Sequence, residues 1–182
     1  MTTKESKFVR IYERYHGHVY AYCRRRVALD RVEDAVADTF LVAWRRIDLV
    51  PDGEPALLWL YRVAYRVVGH VWRGSSRSRK LETRLMSLGV ETHPGPDDLL
   101  IMAQDERQVI EAASRLRSKD EEVLRLAFWE RLNHKQIASV LEINDNAVKQ
   151  RLFRAKKNLT REFNRIQGNE AKSHAAQKGG VW

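Results

Sequence analysis

The chain has 182 residues, 43% of them hydrophobic and 31% charged, enough for one domain or two small ones at roughly 100–200 residues per domain. Its 33 Lys plus Arg exceed 24 Asp plus Glu, for a net charge of +9 and a pI near 9.9, a balance that favours a polyanionic partner such as nucleic acid or an anionic membrane surface. No run approaches the roughly 18 apolar residues of a membrane span, and the start (MTTKESKFVR) has charges where a signal peptide needs an apolar stretch, so membrane insertion and routine secretion are not expected.

A lone Cys23 permits no internal disulfide and no CxxC metal pair, which suits a reducing cytosol, and no cofactor or metal is expected. Glycine and proline are sparse, at nine and four, and the longer segments repeat apolar residues at helical spacing, so the predicted fold is all-α. Phe8 to Val27 is the first helix. Asp30 with Glu33 three residues later is a capping-box pattern that predicts a second helix starting near Arg31. Its apolar stripe is Val36, Phe40, Ala43, Trp44 and Ile47, with Asp34 and Asp38 beside it. Pro51, Asp52, Gly53 and Pro55 end that helix. From Pro55 the stripe Leu57, Leu60, Tyr61, Ala64, Val67, Val68 and Val71 predicts a third helix to about Trp72.

Between Pro55 and Leu81 there are six Lys or Arg and no acid, whereas Leu85 to Glu111 has six acids against Arg107 alone. The stretches GSSRSRK and THPGPDD bury little apolar surface and read as a flexible linker. The expected organisation is a first domain over residues 1–76, a linker over 77–104, a second domain over 105–166 and a disordered tail over 167–182, since GNEAKSHAAQKGGVW has no apolar stripe. In the second domain Val109, Ile110, Ala113 and Leu116 form the inward face of the opening helix. Ser118 to Glu121 is a capping-box pattern before Val123, Leu124, Ala127 and Phe128. Asn133 to Gln136 is another, before Ile137, Ala138 and Leu141, and Asn144 can cap a last helix that turns Val148, Leu152, Ala155 and Leu159 inward.

Two capped helices joined by a turn of three or four residues make a helix-turn-helix. The second carries seven Lys or Arg between Asn144 and Gln167 against Asp145 and Glu162, which gives its outer face a positive potential for phosphates. Lys149, Gln150 and Arg154 lie in its first turns, where side chains reach base edges in the major groove. A solvated amphipathic helix is the plainer alternative. Trp59, Tyr61, Tyr65 and Trp72 stand in or beside the acid-free basic stretch, where they either stack on single-stranded bases or pack a core. Asp34 and Asp38 could hold a divalent metal as a nucleic-acid enzyme would, but an acidic face that contacts solvent or protein explains them more simply. No G-x-S-x-G, Gly-rich phosphate loop or HExxH occurs, so the chain is not expected to be an enzyme.

Glu33 to Trp44, Trp59 to Ala64, His134 to Leu141 and Ala147 to Lys156 together resemble the extracytoplasmic-function group of bacterial RNA polymerase sigma factors, over residues 8 to about 165. The resemblance implies a cytoplasmic promoter-recognition subunit that binds core RNA polymerase, promoter DNA and an anti-sigma factor. It places contacts to the beta-prime clamp helices on Asp34, Asp38, Phe40 and Trp44, the two aromatics supporting from the buried stripe. The loop for a flipped minus-10 base falls on Leu49 to Pro55, with Val50, Pro51, Asp52 and Gly53 as its contacts and Arg66 as a further one. Minus-35 reading falls on Lys149, Gln150, Phe153 and Arg154, with Lys157 beside them. The sequence departs from the family's frequent residues at Ala37, Arg66 and Ala147. A freestanding helix-turn-helix regulator is the alternative.

Overall fold

The computed structural model describes the backbone of residues 3–82 and 104–178 and the side chains of residues 3–73 and 107–169. Every regular element among the described residues is helical, and these are α1 (Thr3–Arg24), α2 (Val32–Arg45), α3 (Pro55–Glu82), α4 (Gln104–Ser114), α5 (Ser118–Phe128), α6 (His134–Leu141) and α7 (Asp145–Lys178). Chain contacts divide it into two compact units, one holding α1 to α3 together with Ser139–Glu142, the other α4, α5, α6 through Ala138, and α7. The expected all-α fold in two helical domains is therefore the observed one.

The first unit is a three-helix bundle in which each helix packs on the other two. Ile11, Tyr15, Val19, Tyr22 and Cys23 form the buried face of α1, at the three- and four-residue steps of one helical stripe. They meet Val32, Ala35, Val36, Thr39, Phe40 and Ala43 of α2 and Ala56, Leu60, Tyr61, Val63, Ala64 and Val68 of α3. Tyr22 stacks on Tyr61 with centroids 5.2 Å apart, and the guanidinium of the fully buried Arg26 lies 3.6 Å from the Tyr22 ring. Arg26 Nη1 also donates to the Tyr22 carbonyl at 3.0 Å, while the Trp72 indole donates to the Arg26 carbonyl at 2.8 Å. Burial pushes the Cys23 thiol up to about 12, so it stays protonated and unreactive at neutral pH.

The second helix starts beside the predicted Arg31, but its capping box does not form. Leu29–Arg31 form a 3-10 turn, α2 begins at Val32, and its N-cap Arg31 makes no side-chain cap hydrogen bond. Asp30 is thus inside the preceding turn, one residue too early to cap. α3 runs ten residues past Trp72, to Glu82, so the first part of the expected linker is helical, whereas residues 83–103 lie outside the described ones. α7 likewise continues to Lys178 where a disordered tail was expected. The reason is common to both: extending an existing helix needs no new nucleus, and neither stretch contains the proline that would stop it. Residues 179–182 lie outside the described ones.

In the second unit α7 packs on both α4 and α5. Its Val148, Leu152, Ala155 and Ile166 are buried, as are Ala112 of α4, Val123, Leu124 and Leu126 of α5, and Ile137 of α6. One predicted inward residue faces out: Val109 is exposed because α4 buries Gln108 and Ala112 instead; Phe128, at the end of α5, is 62% exposed. The Ser118 capping box does not form either, since the N-cap is Arg117 without a side-chain bond. The other two caps do form. Gln136 N–H donates to Asn133 Oδ1 at 3.0 Å while Asn133 N–H donates to Gln136 Oε1 at 2.9 Å, and Ala147 N–H donates to Asn144 Oδ1 at 2.7 Å. Glu142 ends α6 at φ 54, and the Ile143 N–H bonds back to the Ala138 carbonyl at 3.1 Å, which closes the turn in a left-handed residue more often supplied by glycine.

Candidate nucleic-acid and protein interfaces

The loop from Ile47 to Glu54 turns between α2 and α3, and α1 grips it. Ile47 is buried and heads a 3-10 turn through Leu49. Val50, expected to touch DNA, has its side chain 1% exposed, because it continues the apolar core rather than the surface. Its carbonyl accepts from Lys7 Nζ at 2.6 Å. Gly53 turns the chain at φ 70, a conformation that favours glycine, and its carbonyl accepts both the Tyr15 hydroxyl at 2.8 Å and the Ala56 N–H at 3.0 Å. Lys7 also stands 3.6 Å from the Asp52 carboxylate, and Lys4 pairs with Asp48 at 2.5 Å. Asp52 and Leu49 face out and Pro51 is half-buried. Of the predicted loop contacts Val50 therefore loses its side chain to the core, while Leu49, the first residue of the predicted loop, faces out at 66% exposure.

On α2 the exposed residues Asp34, Asp38, Leu41 and Trp44 follow one another at steps of four and three, hence on one side of the helix. Asp34 stands 3.8 Å from Arg31. Phe40 is buried as expected, but Trp44 is 43% exposed, a correction to its place on the buried stripe. Its ring meets that of Phe8 of α1 in a T-shaped arrangement at 5.3 Å, so part of it is held while the rest remains at the surface. Val9, Tyr12 and Leu41, also exposed, were not singled out by periodicity, which reports only the side that packs. Among the described residues no group of three His, Cys, Asp or Glu could hold a metal ion, so Asp34 and Asp38 have no third ligand.

α3 keeps Arg66 exposed and Trp59 and Tyr65 half-buried, whereas Tyr61 is in the core. On α7 the capped start presents Lys149, Gln150, Phe153 and Lys157 to solvent on one face, with Phe153 74% exposed. Lys149 Nζ lies 2.7 Å from Asp145, and this hydrogen bond holds the Asp145 carboxyl below its usual range. Arg154 differs. It lies at the edge of that face, and its Nε and Nη2 reach the Asp120 carboxylate, the shortest contact being 2.6 Å. Asp120 is 1% exposed while Arg154 is half-exposed. The carboxylate raises the Arg154 guanidinium above its ordinary range, through the hydrogen bond first and charge second. The residue expected to read a base is thus tied to the body of its own unit. Lys156, on the other flank, has its ammonium 5.8 Å from the Phe128 ring centroid.

Comparison with known proteins gives these surfaces their context. Residues 11–78 match the family model for sigma-70 region 2, and residues 106–159 that for sigma-70 region 4. RfaY of Xanthomonas campestris pv. campestris is 30% identical over 135 residues, 72% of this chain and 34% of RfaY. The extracytoplasmic-function RNA polymerase sigma factor BldN of Streptomyces coelicolor is 29% identical over 156 residues, 85% of this chain and 59% of BldN. The chain thus spans about a third and about three fifths of the lengths of these two relatives. In fold it is similar to the sigma factor RpoE of Bartonella quintana, crystallised with the anti-sigma factor NepR, at a TM-score of 0.68 and 19% identity, covering 86% of this chain and 96% of that one. The chain belongs to the sigma-70 family of RNA polymerase sigma factors, in its extracytoplasmic-function group.

Proposed function

We propose that the protein binds core RNA polymerase and directs it to promoters with particular minus-35 and minus-10 sequences, in the cytoplasm and without catalysing a step itself. The observation that carries this reading is the presence of regions 2 and 4 in one chain, in order. Asp34, Asp38 and Trp44, exposed on one side of α2, contact the beta-prime clamp helices, with the buried Phe40 as support behind them. The loop at Pro51, Asp52 and Gly53, with Arg66 of α3, serves the minus-10 element. Lys149, Gln150 and Phe153 serve the minus-35 element, and Lys157 the phosphates beside it. An anti-sigma factor as a third partner is supported by the complex in which RpoE was crystallised. No helix among the described residues is long and apolar enough to cross a membrane.

Reconstituted transcription tests the reading. Added to core polymerase, the chain should confer initiation at discrete sites of a genomic template, whereas a freestanding regulator would give none without another sigma factor. Asp38→Arg should weaken core association about tenfold, or 1.4 kcal/mol, while folding stability stays within about 0.5 kcal/mol as for other surface changes. An unchanged core affinity at an unchanged melting temperature would remove this face from the interface. Lys157→Ala and Arg161→Ala should each weaken binding to promoter and scrambled duplexes alike and reduce the salt slope by about one. Binding measured at several salt concentrations checks this, and a loss confined to the promoter duplex would make either residue a reader of sequence.

A further inference from the structure

We infer that Lys7 and Tyr15 of α1 are positioning residues for minus-10 base selection, acting through the backbone of the α2–α3 loop. The inference rests on the reading of that loop as the one that takes the flipped base. Two carbonyls bracket the loop tip, and each is held by a side chain of the same helix: Val50 by Lys7 at 2.6 Å and Gly53 by Tyr15 at 2.8 Å. Lys7 and Tyr15 are eight residues apart, two turns or so along α1, and so project on one side. The buried Val50 side chain anchors the first bracket from the core. Between the brackets Pro51 has a restricted φ, and the Asp52 side chain, 84% exposed, is drawn toward Lys7 at 3.6 Å.

The physical consequence is preorganisation. A loop that must surround one base needs its carbonyls and N–H groups fixed before binding, because ordering a free loop would subtract from the discrimination its contacts provide. Lys7 is only 22% exposed and Tyr15 5%, so neither presents a broad surface to DNA. Their polar ends turn to the loop instead. They act on the selected base without touching it, and they lie on α1, remote in sequence from the loop they hold.

The test uses holoenzyme reconstituted from the full chain and a template library randomised across both promoter elements, with the transcribed templates sequenced. Tyr15→Phe removes the hydroxyl alone, and Lys7→Met removes the ammonium while keeping most of the side-chain volume. Each should lower base preference at one or two minus-10 positions by roughly two- to tenfold, the range of one hydrogen bond. The minus-35 preference and core affinity should remain near wild type, the melting temperature should fall by no more than about 10 °C, and Lys7→Arg should restore the minus-10 preference. Unchanged minus-10 preference in both variants would overturn the inference, as would equal losses at both elements or failure of Lys7→Arg to restore. A wild-type preference insensitive to Leu49→Ala and Asp52→Ala would instead overturn the reading of the loop itself, which separates the two failures.

Discussion

Phe40→Ala should destabilise the N-terminal unit by about 3–5 kcal/mol, the range for truncating a buried aromatic ring. Phe40 is 3% exposed and is the ring on which α1 closes: Tyr12 stands 4.8 Å from it, His16 6.0 Å and Phe8 6.3 Å, centroid to centroid. Each such aromatic contact adds about 0.5–1.5 kcal/mol beyond its burial, so the cavity would loosen α1 and α2 together. Trp44→Ala should cost less, about 1–2 kcal/mol, because nearly half its surface is already in water and it meets Phe8 alone among the rings described. In core-polymerase binding the order should reverse once each variant is assayed well below its own melting temperature, with Trp44→Ala the weaker binder. Melting curves and core affinity measured on both variants check this. A Trp44→Ala variant as unstable as Phe40→Ala would show that Trp44 belongs to the packing and not to the surface.

Arg154→Ala should reduce binding to promoter and scrambled duplexes alike and destabilise the C-terminal unit by about 1–3 kcal/mol, the cost of leaving a buried polar group without its partner. The group left behind is the Asp120 carboxylate, at 1% exposure. Without the guanidinium it has lost the contact that ties α7 to the start of α5, and the α7 face that carries Lys149, Gln150 and Phe153 is held less firmly. Asp120→Ala should give the same DNA-binding defect although it adds no negative charge and removes none of the cations on α7. The double variant should recover part of the stability, since neither charge is then stranded. Lys149→Ala, by contrast, should lose about 1–3 kcal/mol of discrimination between the correct and an altered minus-35 sequence. Titrations with both duplexes and a double-mutant cycle decide the matter. Preserved affinity for scrambled duplex in Arg154→Ala, with discrimination lost, would return Arg154 to base reading.

What the sequence determined by itself was whatever depends on local spacing. The helical period placed Leu60, Tyr61 and Phe40 in the core and Asp34 and Asp38 outside it, and the two caps at Asn133 and Asn144, observed bond for bond, delimited the helix-turn-helix. These depend on residues three or four apart, a distance the chain carries in its own order. Only the tertiary structure could decide what depends on the partner surface. Trp44 lies at the surface although it stands on the stripe, because a stripe gives the direction of burial and not its depth, and Val50, placed in the loop by resemblance, goes into the core. Arg154 looked like a reader by its position on α7, and it is Asp120, 34 residues earlier, that claims its guanidinium. Lys7 and Tyr15 meet their carbonyl acceptors at Val50 and Gly53 across 43 and 38 residues. A backbone carbonyl has no signature in the sequence, since every residue has one, so only the packing of α1 against the α2–α3 turn could select which two would be held.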